Sequence, residues 1–128
     1  MTPIEKKETI KIIPQVVGKG ILILRMTGFI DASNASLFSR LVHEQLNRKY
    51  SNVILDFSEL QYMYLNSSAL GIFMKIYQSV ASRQGETSML NLPREVEKTL
   101  EKLGLTKYFR IFSEEKKATQ YFQEKEEK

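Results

Sequence analysis

The chain has 128 residues, 42% of them hydrophobic and 27% charged, which is enough for one domain that buries a core without staples. It has no cysteine, which excludes disulfides, a thiol nucleophile and cysteine-ligated metal, and fits a reducing compartment. The net charge of +4 arises from 19 basic and 15 acidic residues that interleave along the chain, as in 95–102 and 114–128, so no one-sided basic surface for direct nucleic-acid contact is expected.

Residues 1–9 open on Met-Thr-Pro-Ile-Glu-Lys-Lys-Glu and read as a flexible N-terminal segment. They lack the apolar run of a signal peptide, and no stretch reaches the length of a membrane span, so a cytoplasmic protein with no membrane contact is expected. The domain itself is expected over residues 10–122. Segment 10–17 is apolar and β-branched with Pro14 inside it, which predicts an edge strand. Gly18-Lys19-Gly20 is a tight turn and carries no phosphate-loop pattern. Segment 21–26 is the second strand of a hairpin, broken by Thr27-Gly28. A helix follows, capped by Asp31 or Ser33, with Leu37, Phe38, Leu41, Val42 and Leu46 on its buried face.

Segment 52–57 is an almost continuous apolar run ending near Asp56, as in a central strand covered on both faces. Asn66-Ser67-Ser68 then begins a helix whose stripe is Leu70, Phe73, Met74, Tyr77, Val80 and Ala81, with Gly85 as its C-cap. Segment 87–92 is a strand. Pro93 opens a helix bearing Val96, Leu100 and Leu103 and closed by Gly104. A short strand within 108–112 and a final helix anchored by Ala118, Tyr121 and Phe122 complete the domain, and 123–128 is a polar tail that frays. The order is that of an α/β domain: a mixed four- to five-stranded sheet with about four helices, packed mainly on one face.

Catalytic constellations are missing from this pattern. The single histidine, His43, lies within the first helix beside Val42 and Glu44 and reads as a surface or boundary residue. No serine sits in a nucleophile elbow, and no carboxylate pair or metal-ligand spacing occurs, so neither an enzyme nor a cofactor or metal site is expected. Asp31 and Asp56 are the only aspartates, and both fall at the C-terminal ends of predicted strands, where open α/β sheets place their sites. A structural role in capping a turn is the alternative for each. At Asn66-Ser67-Ser68 one small polar residue would suffice as a cap; three leave a hydroxyl exposed at the positive end of the helix dipole, where a phosphate is tolerated.

The run Val53-Ile54-Leu55-Asp56-Phe57-Ser58 followed by Asn66-Ser67-Ser68-Ala69-Leu70-Gly71 resembles the signature of the STAS domain family, an apolar strand ending in Asp-Leu-Ser and then Asp-Ser-Ser-Gly-Leu-Gly at a helix start. Thr27-Gly28-Phe29-Ile30-Asp31 resembles the family's Gly-x-Leu-Asp turn. Gly104-Leu105 and the stretch from Ile111 to Ala118 resemble its C-terminal pattern. The likeness is to the anti-sigma-factor-antagonist type, and it implies a bacterial partner-switching regulator of transcription. Such a protein binds an anti-sigma factor that is also a serine kinase, is phosphorylated at the serine matching Ser67 (Ser68 is the second choice) and is restored by a PP2C-type phosphatase. It implies a partner surface drawn from Phe29, Asp31, Asn66, Ser67, Ser68 and Ala69, and a monomer or weak dimer. The alternative is a STAS scaffold in a sensory or transport assembly, never phosphorylated, with Ser67 a mere cap. Asn66 stands where the motif has aspartate, Ala69 where it has glycine, and the spacing from Asp56 to Ser67 is two residues longer than usual around Tyr62-Met63-Tyr64-Leu65. An even insertion keeps strand faces in phase and is expected to bulge beside the partner surface. The Gly28–Asp31 turn and the start of the Ser67 helix are expected at one end of the sheet, in one exposed patch with a few apolar residues, Phe29 or Met63 among them.

Overall fold

The computed structural model describes residues 9–46 and 50–126. Nine elements follow in the order β1 (Ile10–Val17), β2 (Ile21–Ile30), α1 (Ala35–Gln45), β3 (Asn52–Met63), α2 (Ser67–Ala81), β4 (Thr87–Leu90), α3 (Arg94–Lys102), β5 (Arg110–Phe112) and α4 (Glu115–Glu126). The five strands form one sheet in chain order. The β1–β2 hairpin is antiparallel, and β2, β3, β4 and β5 are parallel neighbours joined by crossover helices. The expected mixed sheet and four helices are therefore present, and the expected N-terminal segment lies outside the described residues except for Thr9.

Strand β3 is central because both of its faces are apolar. Val53, Leu55 and Phe57 face the main core with Phe38 and Val42 of α1, Phe73, Ile76 and Val80 of α2, and Val96 and Leu100 of α3. Ile54 faces the other way, with Ile21, Ile23 and Leu90 beneath Ala118 and Phe122 of α4. Three helices thus cover one face and a single helix the other. Phe73 meets Phe38, Phe57 and Phe109 edge to face at centroid distances of 5.8, 6.1 and 6.4 Å, so one ring ties α2 to α1, to β3 and to the segment before β5.

Both sheet edges are blunt. The Phe29 N–H donates to the Thr9 carbonyl at 2.8 Å, which sets the phase of the hairpin ladder: odd residues of β1 bond to β2, and even ones, Pro14 among them, turn their backbone to the open edge. Proline has no N–H to offer there. At the far edge β5 is only three residues long.

Several local expectations give way to packing. Thr27-Gly28 does not end the second strand; β2 continues to Ile30 because β3 continues beside it to Met63. Gly28 has φ +98°, and a Cβ there would run into the Thr9 carbonyl, so the glycine lets the chain ends of the hairpin close up. On α2 the buried face is Ala69, Ile72, Phe73, Ile76 and Val80, one residue round from the expected stripe, and Ala81 is exposed. Leu103 is also exposed; Leu105 packs on the core in its place. Gly85 is not the left-handed residue after α2. Gln84 is, at φ +64°, in a Schellman closure with Gln84 N–H to Ala81 O and Gly85 N–H to Val80 O. Gly85 is required instead by its contact with the Ser51 backbone. Gly104 does take the left-handed position after α3, as expected. Helix α4 extends through Glu126, past the boundary expected at 122.

Candidate functional site

Strands β2 and β3 run parallel side by side, so their C-terminal ends meet at one end of the sheet, with Ile30 opposite Met63 and the Tyr64 N–H bonded to the Ile30 carbonyl at 2.9 Å. The turn after β2 and the start of α2 therefore form one rim, as the sequence led us to expect. The pairing register is not uniform. Arg25 pairs with Asp56 but Thr27 with Glu59, and Gly28 with Leu60 but Phe29 with Tyr62, so β3 carries one extra residue at each of two bulges. Two single bulges are an even insertion. Side-chain faces stay in phase, and Tyr62 takes the place beside Phe29 that Leu60 would hold in an unbroken register.

The consequence is an aromatic patch on the rim. The Phe29 and Tyr62 rings stack at 4.9 Å with 16° between planes, and Tyr64 lies 5.1 Å from Tyr62. Tyr62 is 41% and Tyr64 67% exposed, whereas Met63 between them points into the core at 7%. Phe29 is thus on the patch and Met63 is not. The two tyrosines join the expected site residues, and the alternation of Tyr62, Met63 and Tyr64 is the sequence signal for them, the period of a strand with one face inward.

Asp31 stands at the edge of this patch. One carboxylate oxygen accepts from the Ser33 N–H and hydroxyl, and the other receives the Tyr62 hydroxyl at 3.4 Å. The Ser33 hydroxyl, followed by the Ser33 amide and Tyr62, outweighs partial desolvation and holds the Asp31 carboxyl below the usual carboxylate range. Desolvation, followed by the Asp31 charge, pushes the Tyr62 phenol above its ordinary value, so it remains a donor. Neither Asp31 nor Ser33 caps α1. Asn34 occupies the N-cap position, and its side chain bonds back into the turn rather than forward into the helix.

Across the rim, Asn66 caps α2: its Oδ1 accepts from the Ala69 N–H at 2.9 Å. Ser67 and Ser68 follow as the first two helical residues, both exposed, with no acidic residue in the first turn. Neither hydroxyl has a backbone partner among the described residues. The first-turn N–H groups of Ser67 and Ser68 have no intrahelical acceptor and leave the positive end of the dipole open. Ala69 is fully buried, so its side chain is not available to a partner. The neutral Asn66 leaves no carboxylate beside Ser67.

Asp56 belongs elsewhere. It is 2% exposed in the middle of β3, not at a strand end, because β3 runs on to Met63, past the apolar run of 52–57. Its oxygens take Arg25 at 2.9 Å and the Ser58 N–H and hydroxyl at 3.0 and 2.7 Å. Arg25 also binds Glu115 of α4 at 2.7 Å and Gln15 of β1, so Asp56 anchors a clasp over the α4 face. Its role is structural, but as the ion-pair partner of Arg25 in mid-strand and not as the cap of a turn. His43 is a boundary residue whose Nδ1 donates to the Ser39 carbonyl at 2.7 Å.

A cleft of about 680 Å³ opens before β4 and β5, away from the rim, among Tyr77, Glu86, Lys107, Arg110 and Lys125. Within it Glu86 takes Tyr121, Lys125 and Arg110. No helix among the described residues is long and apolar enough to cross a membrane.

The fold and its rim define a family. The STAS domain model matches residues 13–118, and the chain belongs to the STAS domain family. It is 27% identical over 98 residues to the anti-sigma F factor antagonist of Paenibacillus polymyxa, spanning 76% of this chain and 82% of that protein. Its fold is similar to that of the anti-sigma factor antagonist SpoIIAA in its unphosphorylated form, with TM-score 0.70 at 18% identity over 88% of this chain and 96% of the other. It is also similar to the Bacillus cell fate determinant SpoIIAA in the phosphorylated form, with TM-score 0.66 at 17% identity over 88% and 99%.

Proposed function

We propose that this chain is an anti-sigma-factor antagonist that acts by partner switching. Unphosphorylated, it binds an anti-sigma factor with serine kinase activity through the rim formed by Phe29, Asp31, Tyr62, Asn66, Ser67 and Ser68. Phosphorylation of Ser67 ends that binding, and a PP2C-type phosphatase restores it. The chain itself is a binding protein, cytoplasmic, and catalyses nothing. The observation that carries this reading is the exposed Ser67 hydroxyl on the first turn of α2, capped by Asn66 and next to an aromatic and carboxylate rim. The relatives named antagonists support the partner class, and the likeness to SpoIIAA in both forms supports a fold that persists when a phosphate is present.

Physics gives the switch its direction. A phosphate adds about −1.5 to −2 charges. Free in solution it sits at the open helix terminus; under a docked partner it must be desolvated or meet like charge. A penalty of roughly 3 kcal/mol weakens binding about a hundredfold. The test is incubation of the full chain with ATP and each serine-kinase anti-sigma factor of its own genome, followed by mass mapping. One kinase should modify Ser67, bind Ser67→Ala as it binds wild type, and release Ser67→Asp. No phosphate on the Ser67–Ser68 peptide, with binding indifferent to Ser67→Asp, would favour the constitutive scaffold.

A further inference from the structure

Phe29 and Ile30 are held in β2, by the Phe29 N–H on the Thr9 carbonyl and the Tyr64 N–H on the Ile30 carbonyl, whereas residues 31–34 beyond them form a short turn with no ladder bonds. Two side chains close that turn: Asp31 takes the Ser33 N–H and hydroxyl, and Asn34 ties it back to the end of β2. Asn34 is 5% exposed, and both ends of its carboxamide are used inside the turn: Oδ1 accepts from the Asp31 N–H at 2.9 Å, and Nδ2 donates to the Phe29 carbonyl at 2.7 Å. Its own N–H reaches the Asp31 carbonyl at 3.3 Å. An N-cap asparagine ordinarily spends its oxygen on the second or third N–H of its helix, and this one does not. The helix forgoes a cap so that the turn is closed.

We infer that Asn34 is the positioning residue of the docking rim: it touches no partner, but it ties the turn to the end of β2 through the Phe29 carbonyl and the Asp31 amide, and thereby holds the Asp31 carboxylate beside the Phe29–Tyr62 stack that the strand register sets. This rests on the proposed partner-binding function and deepens it. A preset turn costs no ordering on docking, whereas a loose one must be ordered by the partner, and that cost appears as lost affinity. The start of α2 is held independently by Asn66, so Ser67 itself is unaffected by what happens at Asn34.

Two variants separate positioning from general stability. Asn34→Ala removes both bonds. Asn34→Asp keeps a favoured N-cap residue, so α1 and the fold are retained, but sets a carboxylate oxygen against the Phe29 carbonyl, which needs a donor. In the isolated full chain, the Asp31 amide of Asn34→Ala should exchange with solvent at least about tenfold faster than in wild type, with amides of β3 unchanged. With the anti-sigma factor kinase that modifies wild type, each variant should bind about tenfold or more weakly at a temperature where all are folded. The KM for Ser67 phosphorylation should rise by a similar factor with kcat unchanged. A merely structural Asn34 would lower the melting temperature and leave the KM of the folded protein alone. Wild-type affinity and KM in both variants would overturn the inference while leaving the proposed function intact. Absence of any kinase or partner for wild type would remove the function, and this role with it.

Discussion

A carboxylate at Ser67 should leave the domain at least as stable as before, and this isolates the switch from unfolding. The first turn of α2 holds no acidic residue, the Asn66 side chain satisfies only the Ala69 N–H, and the Ser67 position is exposed. A negative charge in that turn interacts with the open N–H groups and the dipole for roughly 0.3–1 kcal/mol at low salt. For 128 residues the unfolding entropy near the midpoint is roughly 0.27 kcal/mol/K, so Ser67→Asp should raise the melting temperature by about 1–4 °C. The gain should shrink in 1 M salt, where the screening length is about 3 Å, and Ser67→Lys should shift the midpoint the other way. Asn66→Ala, which strips the cap, should cost about 1 kcal/mol. Calorimetry of the four proteins at two salt concentrations checks this. A Ser67→Asp protein more than about 1 kcal/mol less stable than wild type would refute the reasoning, because loss of partner binding could then be loss of fold.

Tyr62→Ala removes the ring stacked on Phe29 and should weaken partner binding about 30-fold, with a small change in melting temperature since the side chain is half-exposed; titration calorimetry reads the first and a thermal scan the second. Gln84→Gly relieves a left-handed backbone at φ +64° and should stabilise the chain by about 1 kcal/mol in urea unfolding, whereas Gly104→Ala, at φ +71°, should cost about as much. Burial pushes the Glu86 carboxyl up, but the bonds from Tyr121, Lys125 and Arg110 outweigh it and hold the group below its ordinary value of 4.5. A depressed carboxyl contributes stability that is present above its unfolded value and lost as pH falls through the folded one. Wild type should therefore melt higher than Glu86→Gln at pH 7, and the gap should close as the pH is lowered beneath 4.5; a gap that persists unchanged at pH 3 would contradict the assignment.

The alternation of elements was legible in the chain because each helix carries a 3.6-residue apolar stripe and β3 an unbroken apolar run. The capped start of α2 was legible for the same local reason: Asn66 needs only its own first turn. What escaped was set by partners distant in sequence. Segment 58–63 carries only the short alternation of Tyr62 and Met63, and it becomes strand because β2 is beside it to pair with. With β3 prolonged, Asp56 lies in the strand interior and not at its end, bound there by Arg25 and Ser58. Asn34 gives no signal in the sequence, because its two side-chain contacts lie behind it in the chain, at Phe29 and Asp31. The left-handed position after α2 went to Gln84 since the neighbouring glycine was committed to a contact with Ser51.

The proline at the open edge of β1 bears on whether that edge can recruit a second sheet. Ile13 and Val16 lie on that strand about half exposed, a sticky composition for an unpaired border. Lateral growth of one sheet onto another needs a continuous register of donors, and Pro14 interrupts it in the middle of the strand, whichever direction the newcomer runs. The missing hydrogen on one ring nitrogen therefore works against sheet-to-sheet growth along β1.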